Sequence, residues 1–371
     1  MLETTVFVGL DTDKAGIDIA VAEGEIGGEV RYLGRIAATA AGLSKAIKKV
    51  QERHPRLAIV YEAGPCGYGI YRRLNAMPGV VCQVAAPSLI PRRAGVRVKT
   101  NRRDAIALAK LHRAGELTAI WVPDAAHEAM RDLVRARGQA MADLTRHRQR
   151  IAGFLLRQEV GYVGKPWTKA HRLYLTGLTF AFPAQQRMWT ELLTALDQAK
   201  ARRERLDQLI GEQIPSWSLA WLVEALIVLR GFQRLSAAIV AAEIGDPRRF
   251  SSPTQLMGFL GLTASEDSTG EKRRQGGLTK TGNSRARKTL IEAAWTYARA
   301  AKPSEHQAAG QPALVAIADK ARHRLSLRYR SLRIAGKRQT VAIAAVAREL
   351  AGFVWAAAHA AGPKVADKTA A

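Results

Sequence analysis

A chain of 371 residues is long enough for at least one full core and more readily for two or three domains. Its 57 Lys+Arg against 32 Asp+Glu give a formal net charge of +25, which points to a polyanionic partner, nucleic acid by default. A membrane partner is not expected, because no uninterrupted apolar run reaches the roughly 18 residues that a spanning helix needs. MLETTVFVGLD also runs straight into a strand, without the basic flank of a signal peptide. Cys66 and Cys82 are the only cysteines, with no second pair or histidine spacing for a zinc site, and they suit free thiols in a reducing cytosol.

In chain order, TVFVGLD and GIDIAVAEG are joined by a short polar turn and read as a strand hairpin, with Ile17, Ile19 and Val21 alternating with Asp18 and Ala20. VRYLGRIAA adds a third strand, and AGLSKAIKKVQER has helical apolar spacing that Pro55 ends. RLAIVYEAG reads as a strand covered on both faces. Gly64, Pro65, Gly67 and Gly69 then loosen the chain before a short helix around IYRRLN and the strand VVCQVAAP. A basic run leads into the helical RRDAIALAKL. A strand hairpin followed by alternating helix and strand predicts a mixed α/β domain over residues 1–118.

A helical connector is expected over 119–215. Met130, Leu133, Val134, Met141 and Leu144 recur on one side of a helical stretch from about Ala125 to Val160, and a second stretch runs from about Gln185 to Ile214. With a break at GYVGKPW, the two would pair antiparallel in coiled-coil fashion or stand as dimerisation arms. Residues 216–362 read as a mainly helical domain. Gly231 and Gly245 leave room for a helix-hairpin-helix that grips a phosphate, although ordinary helical packing is the simpler reading. A polar, glycine-rich loop, TASEDSTGEKRRQGGLTKTGNSRARK, interrupts this domain, and a Pro, Lys and Ala tail over 363–371 reads as disordered.

Two places carry chemistry. Asp11 ends the first strand, Glu62 ends the strand IVYE, and Asp104 opens a helix. Singly these are what any strand end or helix start carries, since an acid there suits the helix dipole. Together they can converge over one sheet edge as a Mg²⁺ site, because that ion takes hard oxygen ligands and is completed by waters and substrate phosphates. Arg102 and Arg103 would sit beside it. The second place is the glycine-rich loop, where Ser268 and Thr269 precede Gly270 and Lys272, Arg273, Arg274, Lys280, Arg285 and Arg287 follow. Cations there offer phosphate contacts, so a hydroxyl could attack a phosphodiester while they offset charge on its oxygens.

The motifs GLDTDK, YEAG and RVKTNRRDA resemble the RuvC-like (RNase H-like) domain of transposases of the IS-one-ten family of bacterial insertion sequences. RRFSSPTQLMGFLGLTASEDSTGEKRRQGGLTKTGNSRARKTLIEAAW resembles that family's second domain. The resemblance implies a DNA recombinase of a mobile element, in some members guided by a structured RNA, working in the bacterial cytoplasm on nucleoid DNA. It implies Mg²⁺ on acidic residues of the first domain and a nucleophilic serine on the second, the two being brought together in a homo-oligomer, a dimer or tetramer.

Carried over residue by residue, the acidic set falls on Asp11, Glu62 and Asp104, and a fourth family aspartate falls on Asn101, whose neutral amide lowers the ligand charge. The family's Ser-Gly pair falls on Thr269-Gly270, whereas a shift of one residue gives Ser268, favoured here as the less hindered hydroxyl. Two other readings stay open. One is a structure-selective endonuclease that uses metal-activated water, and the other is a nucleic-acid-binding protein whose metal site has decayed, which Asn101 would suit.

Overall fold

Near-continuous apolar runs in VFVGL, GIDIAVA and LAIVY dictate a sheet covered on both faces. In the computed structural model, which describes residues 5–25, 27–91, 100–269, 274–299, 303, 306 and 311–363, the chain divides into two units, Met1–Val122 and Pro123–Ala371. The first runs β1 (Val6–Thr12), β2 (Gly16–Ala22), β3 (Val30–Ala37), α1 (Ala40–Gln51), β4 (Leu57–Glu62), α2 (Gly69–Asn75), β5 (Val80–Ala85) and α3 (Asn101–Arg113). The strand order is β3-β2-β1-β4-β5. β1, β2 and β3 pair antiparallel, while β4 pairs parallel with β1 and with β5. This is the hairpin-first mixed sheet that the sequence predicts, and a RuvC-like arrangement.

The two faces are covered differently. Leu10, Ile17, Ile19, Ile59 and Tyr61 pack with Leu43 and Ile47 of α1 and Leu74 of α2. On the other face, Ala20 and Ala22 of β2 meet Ala105 and Ala109 of α3, and Val60 of β4 meets Leu108. α3 crosses β1 at Gly9, where an added Cβ would lie 2.3 Å from the Ala105 oxygen and 2.4 Å from the Ala109 nitrogen. Only hydrogen fits there. Thr100 caps the helix by accepting from the Arg103 N–H at 3.3 Å.

The second unit runs α4 (Ala125–Arg157), α5 (Lys169–Gly177), α6 (Pro183–Gln213), α7 (Ala220–Ile227), α8 (Arg234–Ile244), α9 (Pro253–Phe259), β6 (Ala264–Glu266), β7 (Gln275–Leu278), α10 (Ser284–Ala294), α11 (Pro312–Ile334) and α12 (Gln339–Ala361). α4 and α6 pair antiparallel, tied by Arg137 to Asp207 at 2.7 Å and Arg202 to Asp143 at 3.3 Å. Their far ends build a core around Ile151, Phe154 and Trp189. Their near ends, through Met130, Val134, Ile210 and Ile214, belong to the core of α7, α8, α10 and α12.

Three elements were not expected. α5 follows the GYVGKPW break, and β6 and β7 form an antiparallel hairpin within what reads as a loop. α12 is long and apolar enough to cross a membrane, but Ile343, Val346, Leu350 and Val354 are buried in the core, which accounts for its composition. The tail from residue 364 lies outside the described residues.

Two glycine substitutions should move stability in opposite directions. Gly9→Val drives side-chain atoms into the α3 backbone, so urea unfolding of the full chain should show a loss of about 3 kcal/mol, the upper end for overpacking. Gly138→Ala, inside α4 with open space where the Cβ would stand, should raise stability by about 0.5–1 kcal/mol through helix propensity. Equal effects from the two would contradict this packing.

Candidate active site

Leu10 pairs with Tyr61 in the parallel register, so Asp11 and Glu62 are the next residues along two adjacent strand ends. Side chains alternate along a strand, so Asp11 takes the α3 face of Gly9 and Glu62 that of Val60. Asp104 precedes Ala105, the residue of α3 that lies on Gly9. The three sequence-derived acids therefore reach one sheet edge, on one face. All three are half-buried, and Asp11 and Asp104 both have interaction partners within the chain. Among the described residues no three Asp, Glu, His or Cys side chains are gathered into a metal cage. The donors fit a divalent ion in chemistry, being hard carboxylate oxygens of the kind that waters and phosphate oxygens complete.

Sequence reasoning missed the network beside this edge. Asp18 pairs with Asp11 across β1 and β2 and is 3% exposed. It accepts from the Tyr32 hydroxyl at 2.5 Å and from Arg35 Nη1 at 2.7 Å. The same guanidinium donates through Nη2 to both Asp13 oxygens, at 2.9 and 2.7 Å. Asp13 also accepts from the Ala15 and Gly16 N–H groups at 2.8 Å each, closing the β1–β2 turn. Arg35, then the Gly16 and Ala15 N–H groups, hold the Asp13 carboxyl down at about 2. The Asp18 hydrogen bond pushes the Tyr32 hydroxyl up, and Asp13 raises Arg35 in turn. Asn101 Nδ2 donates to Asp13 Oδ2 at 2.9 Å. Arg102 lies 5.1 Å over the Tyr32 ring, and Arg103 is exposed. An acid on the α3 face of an otherwise apolar strand was the available signal for Asp18. Asp13 gave none beyond that of a turn residue.

In the second unit, Ser268 and Thr269 are exposed past the end of β6. The Ser268 hydroxyl donates to Glu266 Oε1 at 3.0 Å and accepts from the Arg274 backbone N–H at 3.0 Å. Glu266 was not singled out in the sequence, although it stands two residues from the serine. Arg287 Nη1 donates to the Leu260 and Thr281 carbonyls at 2.8 and 2.9 Å, stapling the base of the hairpin. Lys280, at φ +54, takes a left-handed conformation there.

Asn283 caps α10 by accepting from the Arg285 and Ala286 N–H groups, and its Nδ2 donates to Glu243 Oε2 at 2.8 Å. Glu243 is buried and paired with Arg135 through two bonds of 3.0 Å. Burial pushes its carboxyl up, but Arg135 and Asn283 outweigh burial and bring it below its ordinary value. Arg285 stands 3.9 Å from the same carboxylate. Lys272 and Arg273, with Gly270, lie outside the described residues.

Comparison with known proteins identifies the family. Residues 8–158 match the DEDD-type family model of IS110 proteins, described as "Transposase", and residues 223–309 match "Transposase IS116/IS110/IS902 family". "Putative transposase y4qE" of Sinorhizobium fredii is 49% identical over 358 residues, 95% of this chain and 88% of that protein. "Transposase for insertion sequence element IS1533" of Leptospira borgpetersenii is 30% identical over 89% of this chain and 97% of that protein. On both halves and over nearly its whole length, the chain belongs to the IS110, or IS-one-ten, family of insertion-sequence transposases.

Proposed function

We propose that this transposase cuts and rejoins DNA through a covalent serine intermediate, with Mg²⁺ held by Asp11, Glu62 and Asp104 and by the Asn101 amide oxygen. The observation that carries the metal half is the register that puts Asp11 and Glu62 on neighbouring strand ends beneath the first turn of α3. Bound there, the ion supplies positive charge against the scissile phosphate.

For the nucleophile, the Ser268–Glu266 hydrogen bond supports Ser268 over Thr269. As Ser268 Oγ forms its bond to phosphorus, its proton passes to Glu266, and the P–O bond to the DNA breaks, the departing oxygen keeping the electron pair and taking a proton from solvent. The new phosphoserine ester keeps the energy of the phosphodiester, so a second DNA hydroxyl can displace the serine without an external energy source. Arg102, Arg103, Arg274, Lys280 and Arg285 would neutralise phosphate, joined by Lys272 and Arg273. The excess charge of +25 suits a structured guide RNA as well as DNA, in a homo-oligomer acting on nucleoid DNA in the cytoplasm.

With Mg²⁺ and DNA carrying the element ends, the wild type should form an adduct that survives denaturation. Ser268→Ala should abolish it, Asp104→Ala should suppress it, and Thr269→Ala should cost no more than a loop hydrogen bond, about 0.5–1.5 kcal/mol. Glu266→Gln should slow adduct formation about 10²-fold, the low end for losing a general base. Adduct persisting in Ser268→Ala but vanishing in Thr269→Ala moves the role one residue on. Metal-dependent cleavage without adduct in any variant means that water is the nucleophile, and DNA binding without strand cleavage in the wild type means a decayed site.

DNA affinity should also fall steeply with salt. If six to ten phosphates are contacted, the loss between about 50 and 200 mM is about 10³- to 10⁵-fold through counterion release. Titration by fluorescence anisotropy measures this slope, and a flat response would remove the electrostatic account.

A further inference from the structure

Asn101 stands where the family's fourth aspartate falls, and one hydrogen bond limits how it can serve. Its Nδ2 lies 2.9 Å from Asp13 Oδ2. That carboxylate is also held by Arg35 through both oxygens and by the Ala15 and Gly16 N–H groups. A carboxylate surrounded by donors in this way is ionised and only accepts. If the Asn101 oxygen faced it, two acceptors would meet at hydrogen-bond distance, so the amide nitrogen must face Asp13. The amide is planar, with its oxygen and nitrogen diverging by about 120° from one carbon, so fixing the nitrogen on Asp13 also fixes the direction of the oxygen. Asn101 is the first residue of α3, about one helical turn before Asp104.

We propose that Asp13 is a positioning residue: by accepting from Asn101 it aims the Asn101 oxygen at the acidic edge, where that oxygen replaces the fourth carboxylate as a neutral ligand. This rests on the metal reading of Asp11, Glu62 and Asp104 given above. Asp13 is not itself the replacement ligand, because its two oxygens, with about four lone-pair sites, already accept from Ala15, Gly16, Arg35 and Asn101. The pair is also matched in sign. An aspartate at position 101 would set two anions at hydrogen-bond distance, so the asparagine suits a chain that has Asp13 in its turn.

The test is Mn²⁺ binding to the full chain without DNA, followed by the electron paramagnetic resonance signal of free Mn²⁺. Asn101→Ala should weaken binding about 10-fold by removing a ligand oxygen. Asp13→Ala should weaken it to no greater degree, about 10-fold, the low end found when the partner of a metal ligand is lost. Because Asp13 acts through Asn101, the double variant should bind no more weakly than Asn101→Ala alone. The exchange Asp13→Asn with Asn101→Asp should bind at least as tightly as the wild type.

Unchanged binding in Asp13→Ala, or a double variant that loses the product of the two single effects, overturns the positioning role. Asp104→Ala separates the two levels. If it binds Mn²⁺ like the wild type, the metal reading itself falls; if it loses Mn²⁺ while Asp13→Ala keeps it, only the positioning falls. Melting curves in EDTA report folding. Should the alanine variant be unfolded, Asp13→Asn takes its place with the same loss expected, since an amide at 13 no longer dictates which end of Asn101 faces it.

Discussion

The close approach of α3 to β1 at Gly9 is the contact on which the acidic edge depends. Ala20, Ala22, Ala105 and Ala109 line the same crossing, so the helix lies on the sheet with almost no side-chain thickness between them. Small residues bury little apolar area, and this face contributes less to stability than the opposite one. There Leu10, Ile19, Leu43, Ile47, Ile59 and Leu74 are fully buried, each side chain worth about 1.5–3 kcal/mol relative to exposure. One face of the sheet thus supplies most of the stability and the other supplies position. A helix resting on longer side chains could slide or tilt; one resting on a glycine has its first turn, and Asp104, fixed over the strand ends.

Gathering acids at one edge has an electrostatic cost, and the fold offsets it locally. Asp11 and Asp18 are directly opposed in an antiparallel pair, an arrangement that like charges destabilise. Asp18, being buried, could not rely on water to screen that repulsion, and Tyr32 and Arg35 stabilise it instead. Arg35 also holds Asp13, so one guanidinium from the edge strand serves two carboxylates. The result is that Asp13 and Asp18 are both committed to Arg35.

Much of this was legible in the sequence because it follows from local periodicity. The hairpin, the buried β4, the acid in the first turn of α3 and the two long helices all follow from alternation, helical spacing and breakers within a few residues of the element concerned. Asp13 and Asp18 were not singled out because their roles come from partners far along the chain, Arg35 at 22 and 17 residues and Asn101 at 88 residues from Asp13. Glu243 is similar. A charge inside LSAAIVAAEIGD is visibly out of place, yet its partner Arg135 lies 108 residues away. α5 is only nine residues long and follows a glycine-rich break. β6 and β7 escaped for a different reason: their residues are nearly all exposed and show no alternating apolar face to read.

That lack of an apolar face bears on how the serine is held. Leu278 is the side chain of the two strands that packs against the core of the second unit, so hydrophobic burial contributes little to the hairpin. Its base is fixed by polar means instead, with Arg287 on the Leu260 and Thr281 carbonyls and Asn283 on buried Glu243. Gly261 and Gly282, at positive φ, allow the crossing chains to come this close, since a Cβ at either would lie 2.1 or 2.0 Å from a backbone oxygen. Stability that rests on a few polar anchors at one end falls off with distance from them. Ser268, at the far end, is therefore oriented chiefly by its own bonds to Glu266 and the Arg274 N–H. Those two bonds, rather than packing, aim the serine.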